Sequence, residues 1–132
     1  MTTDASANAS DDALDAITVT GIRVHANHGV FDYERQNGQD FIVDATVWLD
    51  LRAAAQSDDL ESTVHYGVLA EKLAESLRSE PVDLIETVAE RLASVALSFP
   101  PVQRTRITLH KPDAPIPLEF ADVTVTITRS RS

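Results

Sequence analysis

The hydrophobic positions along the chain change period twice, and those changes mark out the elements. In residues 17–26, apolar side chains fall at Ile17 and Val19 and then, after a change of parity, at Ile22 and Val24. Alternation of period two predicts a strand, and Gly21 at the parity change predicts a β-bulge that re-aims the side chains after it. Residues 40–50 alternate without interruption: Phe41, Val43, Ala45, Val47 and Leu49 share one face, with Asp44 and Thr46 on the other. Between the two strands, residues 27–39 carry Gly29 and Asn37-Gly38 as turn signals, which makes the pair a long hairpin with an elaborated loop.

The period then lengthens. Leu69, Leu73 and Leu77 recur at every fourth position between about Tyr66 and Arg78, a helical stripe that Asp59 or Ser62 is placed to cap. Pro81 is expected to open a second helix, with Leu84, Ile85, Val88, Ala89, Leu92, Ala93 and Ala96 as its apolar face and Pro100-Pro101 as its stop. Period two returns in 103–111 (Ile107, Leu109, Lys111) and in 121–129 (Val123, Val125, Ile127), on either side of a proline-rich loop. The order β-β-α-α-β-β predicts an α+β domain, a four-stranded antiparallel sheet with two helices on one face. Its other face would carry Thr18, Asp44, Thr46, Trp48, Thr124 and Thr126, a set too mixed for a second core. Long open edges invite pairing with another chain, so closure of several copies into a barrel is expected.

Composition narrows the functional classes. A chain of 132 residues with 43% hydrophobic and 24% charged residues fits one globular domain, expected over 16–132. Residues 1–15 are Ala, Ser, Thr and Asp with almost nothing to bury, and are expected to be a disordered acidic tail. That tail holds four Asp and no Lys or Arg; taking them from the net charge of −10 leaves −6 on the remainder. An acidic body is a poor partner for nucleic acid or an anionic membrane, since both need clustered cations. The absence of cysteine removes disulfides, thiolate metal sites and a thiol nucleophile. No stretch approaches the roughly 20 apolar residues of a membrane span, and no secretory signal is visible, so a cytoplasmic location is expected.

Several side chains are candidates for chemistry. His25, His28, His65 and His110 lack the paired spacing of a zinc site, and no metal is expected. Tyr66 follows His65 at the start of the first helix, either as a packed residue or as a phenol beside a substrate. Glu86 falls in the first turns of the second helix, where a carboxylate is favourable in any case. It also offers two parallel acceptors to a ligand with two parallel N–H donors, such as a guanidine or a 2-amino-4-oxo heterocycle, while nearby helix-start N–H groups stay free for an oxygen. Lys111 ends an apolar alternation just before Pro112. It either snorkels to solvent or, if desolvated, exchanges protons near neutrality. Glu34 alone reads as a surface carboxylate of the hairpin loop.

Four runs appear in order: HGVFDYERQNGQDFIVD, DDLESTVHYG, DLIETVAERLA and HKPDAPIP. Together they resemble the dihydroneopterin aldolases of folate biosynthesis, from about Ile17 to Arg129. The resemblance implies a tunnelling fold, with tetrameric rings that commonly stack into octamers and sites formed between subunits. Glu86 would anchor the 2-amino and N3 donors of the pterin, with Ile85, Val64 and His65 beside it. Tyr66 would contact the dihydropterin and help bond breaking and protonation, Glu34 would border the site, and Lys111 would handle protons. One departure is visible: Ala121 stands where relatives often have a glycine after the PIP turn.

The resemblance also implies that no cofactor is needed. When the C1′–C2′ bond of 7,8-dihydroneopterin breaks, the C6=N5 imine of the substrate accepts the electrons, giving 6-hydroxymethyl-7,8-dihydropterin and glycolaldehyde. Epimerisation to 7,8-dihydromonapterin would share the intermediate. The alternatives are a dihydroneopterin triphosphate epimerase, for which only Arg35 and Lys111 are near the side-chain end, a zinc-dependent pterin synthase, and a ring protein that binds pterins or purines without turning them over.

Overall fold

A computed structural model describes residues 14–131. Its elements are β1 (Asp15–Ala26), α1 (Asp32–Asn37), β2 (Gln39–Leu49), α2 (Arg52–Ser57), a 3-10 turn (Leu60–Ser62), α3 (Tyr66–Leu77), α4 (Ile85–Leu97), β3 (Arg104–His110) and β4 (Thr124–Ser130). The strands form one sheet in the order β1-β2-β3-β4, with every neighbouring pair antiparallel. Most of the expected tail lies outside the described residues. Asp15, expected to be its last residue, instead opens β1, and its carboxylate accepts the N–H of Leu51 at 3.0 Å.

The register explains the parity change. Val19 pairs with Ala45 and Ile22 with Val43, so two residues of β1, Thr20 and Gly21, sit opposite the single residue Asp44. Gly21 occupies the bulge at φ 75°, and its N–H donates to Asp44 Oδ1 at 2.8 Å. Through this bulge Ile17, Val19, Ile22 and Val24 all turn toward the helices.

Phe41, Val43, Ala45, Val47 and Leu49 of β2 are completely buried, as are Ile107 and Leu109 of β3. Onto that face α3 brings Leu69, Leu73 and Leu77, and α4 brings Ile85, Val88, Ala89, Leu92, Ala93 and Ala96. Helix α3 packs on β1 and α4 on β3 and β4. A fully buried Val, Leu or Phe contributes about 1.5–3 kcal/mol, against about 1 kcal/mol for a helix cap, so packing holds these helices. The opposite face is polar in pairs: Thr18 and Thr46 hydroxyls lie 3.0 Å apart and those of Thr108 and Thr126 3.1 Å apart. Trp48 lies under the guanidinium groups of Arg104 and Arg106, 5.2 and 5.6 Å from its ring centre.

Local details differ from expectation where side chains compete. Helix α3 is capped by His65, whose Nδ1 accepts the Val68 N–H at 3.3 Å. Asp59 caps the 3-10 turn instead, accepting from Glu61 N–H. Pro81 does not open α4, which starts at Ile85 after Leu84 as N-cap. Its position four residues earlier leaves room for a connector whose backbone bonds elsewhere. Helices α1 and α2 were not expected, because six residues are too few to show a period. Among the described residues, no helix is long and apolar enough to cross a membrane.

Candidate active site

The hairpin loop buries a charge. Glu34 lies in α1, yet only 3% of it is exposed. Its Oε1 accepts the N–H of Phe31 at 3.2 Å. Its Oε2 accepts from Gln39 Nε2 at 3.0 Å and pairs with Lys111 Nζ at 2.8 Å. Lys111 is itself 8% exposed. The expectation of a surface carboxylate at 34 is therefore wrong, and Lys111 does not snorkel to solvent. Burial alone would raise the pKa of Glu34, but the hydrogen bonds from Lys111, Gln39 and the Phe31 N–H outweigh it and hold the carboxyl below the ordinary glutamate value. A buried charge is tolerated only with this degree of pairing.

Backbone placement makes the pocket possible. Gly29 adopts φ 151°, and a Cβ there would stand 2.3 Å from Glu34 Cδ. The end of α1 is held by side chains from the end of β1: Asn27 Nδ2 donates to Arg35 O at 2.9 Å, and a ring nitrogen of His25 bonds Asn37 O at 3.0 Å. An open depression of about 480 Å³ follows, walled by Glu34 and Gln39 together with His25, Tyr33, Asp40 and Asp113.

The start of α4 is tied to this loop by a buried histidine. His28 donates from Nε2 to Leu77 O at 2.6 Å and accepts the Val82 N–H at Nδ1, 3.1 Å away. One nitrogen donates and the other accepts, so the ring is neutral. Desolvation by burial lowers its pKa, as that role requires. Gly29 N–H donates to Val82 O at 2.9 Å, and the guanidinium of Arg35 donates to Gly29 O and to Asp83. The connector before α4 thus docks on the Glu34 loop, and Glu86 is presented in the first exposed turn of α4. Leu84 supplies no side-chain cap and its carbonyl accepts the Thr87 N–H at 3.1 Å, so the N–H groups of Ile85 and Glu86 keep their donor capacity.

Within one chain, then, Glu34 and Lys111 are in contact and Glu86 stands on the element braced against them. Ile85 and Val64 are buried, at 7% and 2% exposure. Tyr66 is 66% exposed and its ring neighbours His65. No hydrogen bond or ion pair joins Tyr66 to Glu34, Glu86 or Lys111. A second depression beside it is lined by Leu60, Thr63, His65, Val68, Phe99 and Pro101 and shares no residue with the first. The four histidines are likewise dispersed, each with its own partners. No group of three or more His, Cys, Asp or Glu is arranged to hold a metal ion among the described residues. Sequence reasoning missed Gln39, whose only signal was a polar residue at the start of an apolar alternation, and His28, which it weighed only as a metal ligand.

Comparison with known proteins decides the family. A model described as dihydroneopterin aldolase matches residues 17–128. The chain belongs to the dihydroneopterin aldolase family. It is 49% identical over 118 residues to the dihydroneopterin aldolase of Streptomyces coelicolor, covering 89% of this chain and 99% of that one. It is 43% identical over 120 residues to the enzyme of Bacillus subtilis, covering 90% and 100%. A crystal structure of the Escherichia coli dihydroneopterin aldolase in complex with neopterin superposes with a TM-score of 0.80 at 31% identity, covering 88% of this chain and 99% of that one. The departure from the aldolase pattern at Ala121 puts no strain on the backbone. Among the described residues Asp58 is the only non-glycine with positive φ, so Ala121 adopts a backbone that any residue accepts.

Proposed function

We propose that this chain cleaves the side chain of 7,8-dihydroneopterin, giving 6-hydroxymethyl-7,8-dihydropterin and glycolaldehyde for folate biosynthesis, at sites completed by Tyr66 of a second copy. The observation that carries the reading is the buried Lys111–Glu34 pair, braced against the helix that presents Glu86. Glu86 accepts the 2-amino and N3 hydrogens of the pterin, and the free N–H groups of α4 take an oxygen of the ring. A proton leaves the 2′-hydroxyl, the C1′–C2′ bond breaks, and glycolaldehyde departs. The electrons of that bond move into the C6=N5 imine, where N5 takes a proton; the resulting enamine is then protonated at C1′ as N5 gives its proton up, which restores the C6=N5 imine of the product. Lys111 is the mobile proton carrier, with Glu34 holding its ammonium in register. Re-forming the C1′–C2′ bond on the other face of the glycolaldehyde carbonyl, from the same enamine, would give the epimer.

A single chain leaves Tyr66 apart from the pair, while the order β1-β2-β3-β4 leaves an outer edge on both β1 and β4. Joining those edges in a tetrameric ring, with stacked rings as an octamer, brings a neighbour's Tyr66 to each site. The triphosphate alternative is disfavoured by charge: Arg35 is engaged by Asp83 and Lys111 by Glu34, which leaves neither cation for a polyphosphate. Turnover of 7,8-dihydroneopterin without added metal tests the activity, and Lys111→Ala should lower kcat by about 100-fold or more with a smaller change in affinity. Mixing Lys111→Ala with Tyr66→Phe subunits after dissociation should restore turnover, because some sites then receive both native residues. Near-normal kcat in the lysine variant, or no recovery on mixing, would refute these roles.

A further inference from the structure

On the face of the sheet away from the helices, four strands are linked through one imidazole. His110, the last residue of β3, places Nε2 2.7 Å from Asp44 Oδ2 of β2 and Nδ1 2.7 Å from Asp122 Oδ2, just before β4. The remaining oxygens are also used: Asp44 Oδ1 accepts the N–H of Gly21 in the β1 bulge, and Asp122 Oδ1 accepts the N–H of Val123, both at 2.8 Å. Val123 O in turn accepts the N–H of Lys111 at 2.8 Å. The segment opposite Lys111 is thus held twice, once by the His110 ring and once by the Lys111 backbone.

We propose that His110 is a positioning residue for the reaction, bridging Asp44 and Asp122 as an imidazolium and so fixing the backbone from which Lys111 reaches Glu34. This rests on the role of Lys111 proposed above. An ionised carboxylate only accepts hydrogen bonds, so a ring facing two of them must donate from both nitrogens and carry a proton on each. Asp122 first and Asp44 second raise the pKa of His110 above the ordinary histidine value, while the same contact helps keep Asp44 below the ordinary aspartate value despite its burial. Other groups near the ring are Ile42 and Thr124, its register partners on β2 and β4. Farther along this face, Asp40 is engaged by Arg23 and His25 of β1. No cation other than His110 contacts Asp44 or Asp122 among the described residues. Because the folded pKa is raised, the bridge is complete below the ordinary histidine value and is lost as pH rises through the folded value. One carboxylate then loses its donor, and the Asp122-Val123 segment is freed on one side.

The test compares wild type, His110→Asn and His110→Arg, with kcat and KM for 7,8-dihydroneopterin measured from about pH 6 to about pH 9, and folding checked by circular dichroism. Asparagine carries both its N–H donors on one nitrogen near the position of Nδ1 and has none at the position of Nε2, so His110→Asn should lose tenfold to a hundredfold in kcat, the scale of a small misplacement, with KM little changed. Arginine donates to both at every pH, so His110→Arg should recover most of the rate and move the alkaline fall of kcat upward. The His110 ring should titrate by nuclear magnetic resonance in the wild type at the same pH as that fall, a readout that stands even if a variant does not fold. Superimposable profiles for wild type and His110→Asn, or a ring titrating at or below about 6.5, would overturn the positioning role while leaving the activity in place. Absence of turnover in the wild type would overturn the activity and this role with it.

Discussion

Replacing Lys111 with methionine isolates the energy of the buried pair. The unbranched apolar chain fills the lysine stem, so the main loss is the ammonium 2.8 Å from Glu34 Oε2. Glu34 keeps only the Gln39 amide and the Phe31 N–H as donors, at 3.0 and 3.2 Å. Removing one partner of a buried pair costs about 3–5 kcal/mol, because the other charge is left uncompensated. Glu34 also walls an open depression that admits water, so the low end, about 3 kcal/mol, is expected. For a chain of this size that is a fall in Tm of about 10 °C. Thermal unfolding followed by circular dichroism, at one protein concentration and several pH values, measures it. The pKa of Glu34 is depressed in the folded wild type, so the pair's stabilisation is present near neutrality and fades as pH falls through the folded value. Without Lys111, burial dominates and Glu34 protonates more readily, so the deficit of Lys111→Met should shrink toward about pH 5. Glu34→Gln in the same chain should recover most of the loss, giving a coupling of about 2–3 kcal/mol. A deficit independent of pH, with no coupling, would mean that Lys111 matters only as packing and that the charge argument is wrong.

Two further outcomes follow from the site. Gly29→Ala would place a methyl 2.3 Å from Glu34 Cδ at φ 151°, so Glu34 must move off Lys111; kcat should fall at least tenfold, comparable to the misplacement effects above, and an unchanged kcat would show that the contact is dispensable. Glu86→Gln leaves an amide that cannot accept both pterin N–H bonds, so ligand affinity measured by fluorescence titration should drop by about 10-fold or more; unaltered affinity would remove Glu86 from the pterin edge.

Much of the fold was legible because burial on one face imposes a period. The alternation of Phe41, Val43, Ala45, Val47 and Leu49, the leucine stripe of α3 and the bulge at Gly21 each required only neighbours in sequence, and each is where the pattern put it. Caps and short helices were not legible, since several capping residue types lie close together before α3 and three-dimensional distance decides that His65 accepts the Val68 N–H and Asp59 the Glu61 N–H.

The site divides along the same line. The sequence by itself determined the sheet, its two long helices and the identities of Glu34, Tyr66, Glu86 and Lys111 as candidates, because residue type and order are local properties. Only the tertiary structure decided that Glu34 is buried rather than exposed, that Gln39 and Lys111 are its donors, that His28 braces the α4 connector, and that His110 sits between two carboxylates. These are contacts between residues as much as 77 positions apart along the chain, as from Glu34 to Lys111, and no periodicity encodes which distant donor will offset the cost of burying a charge.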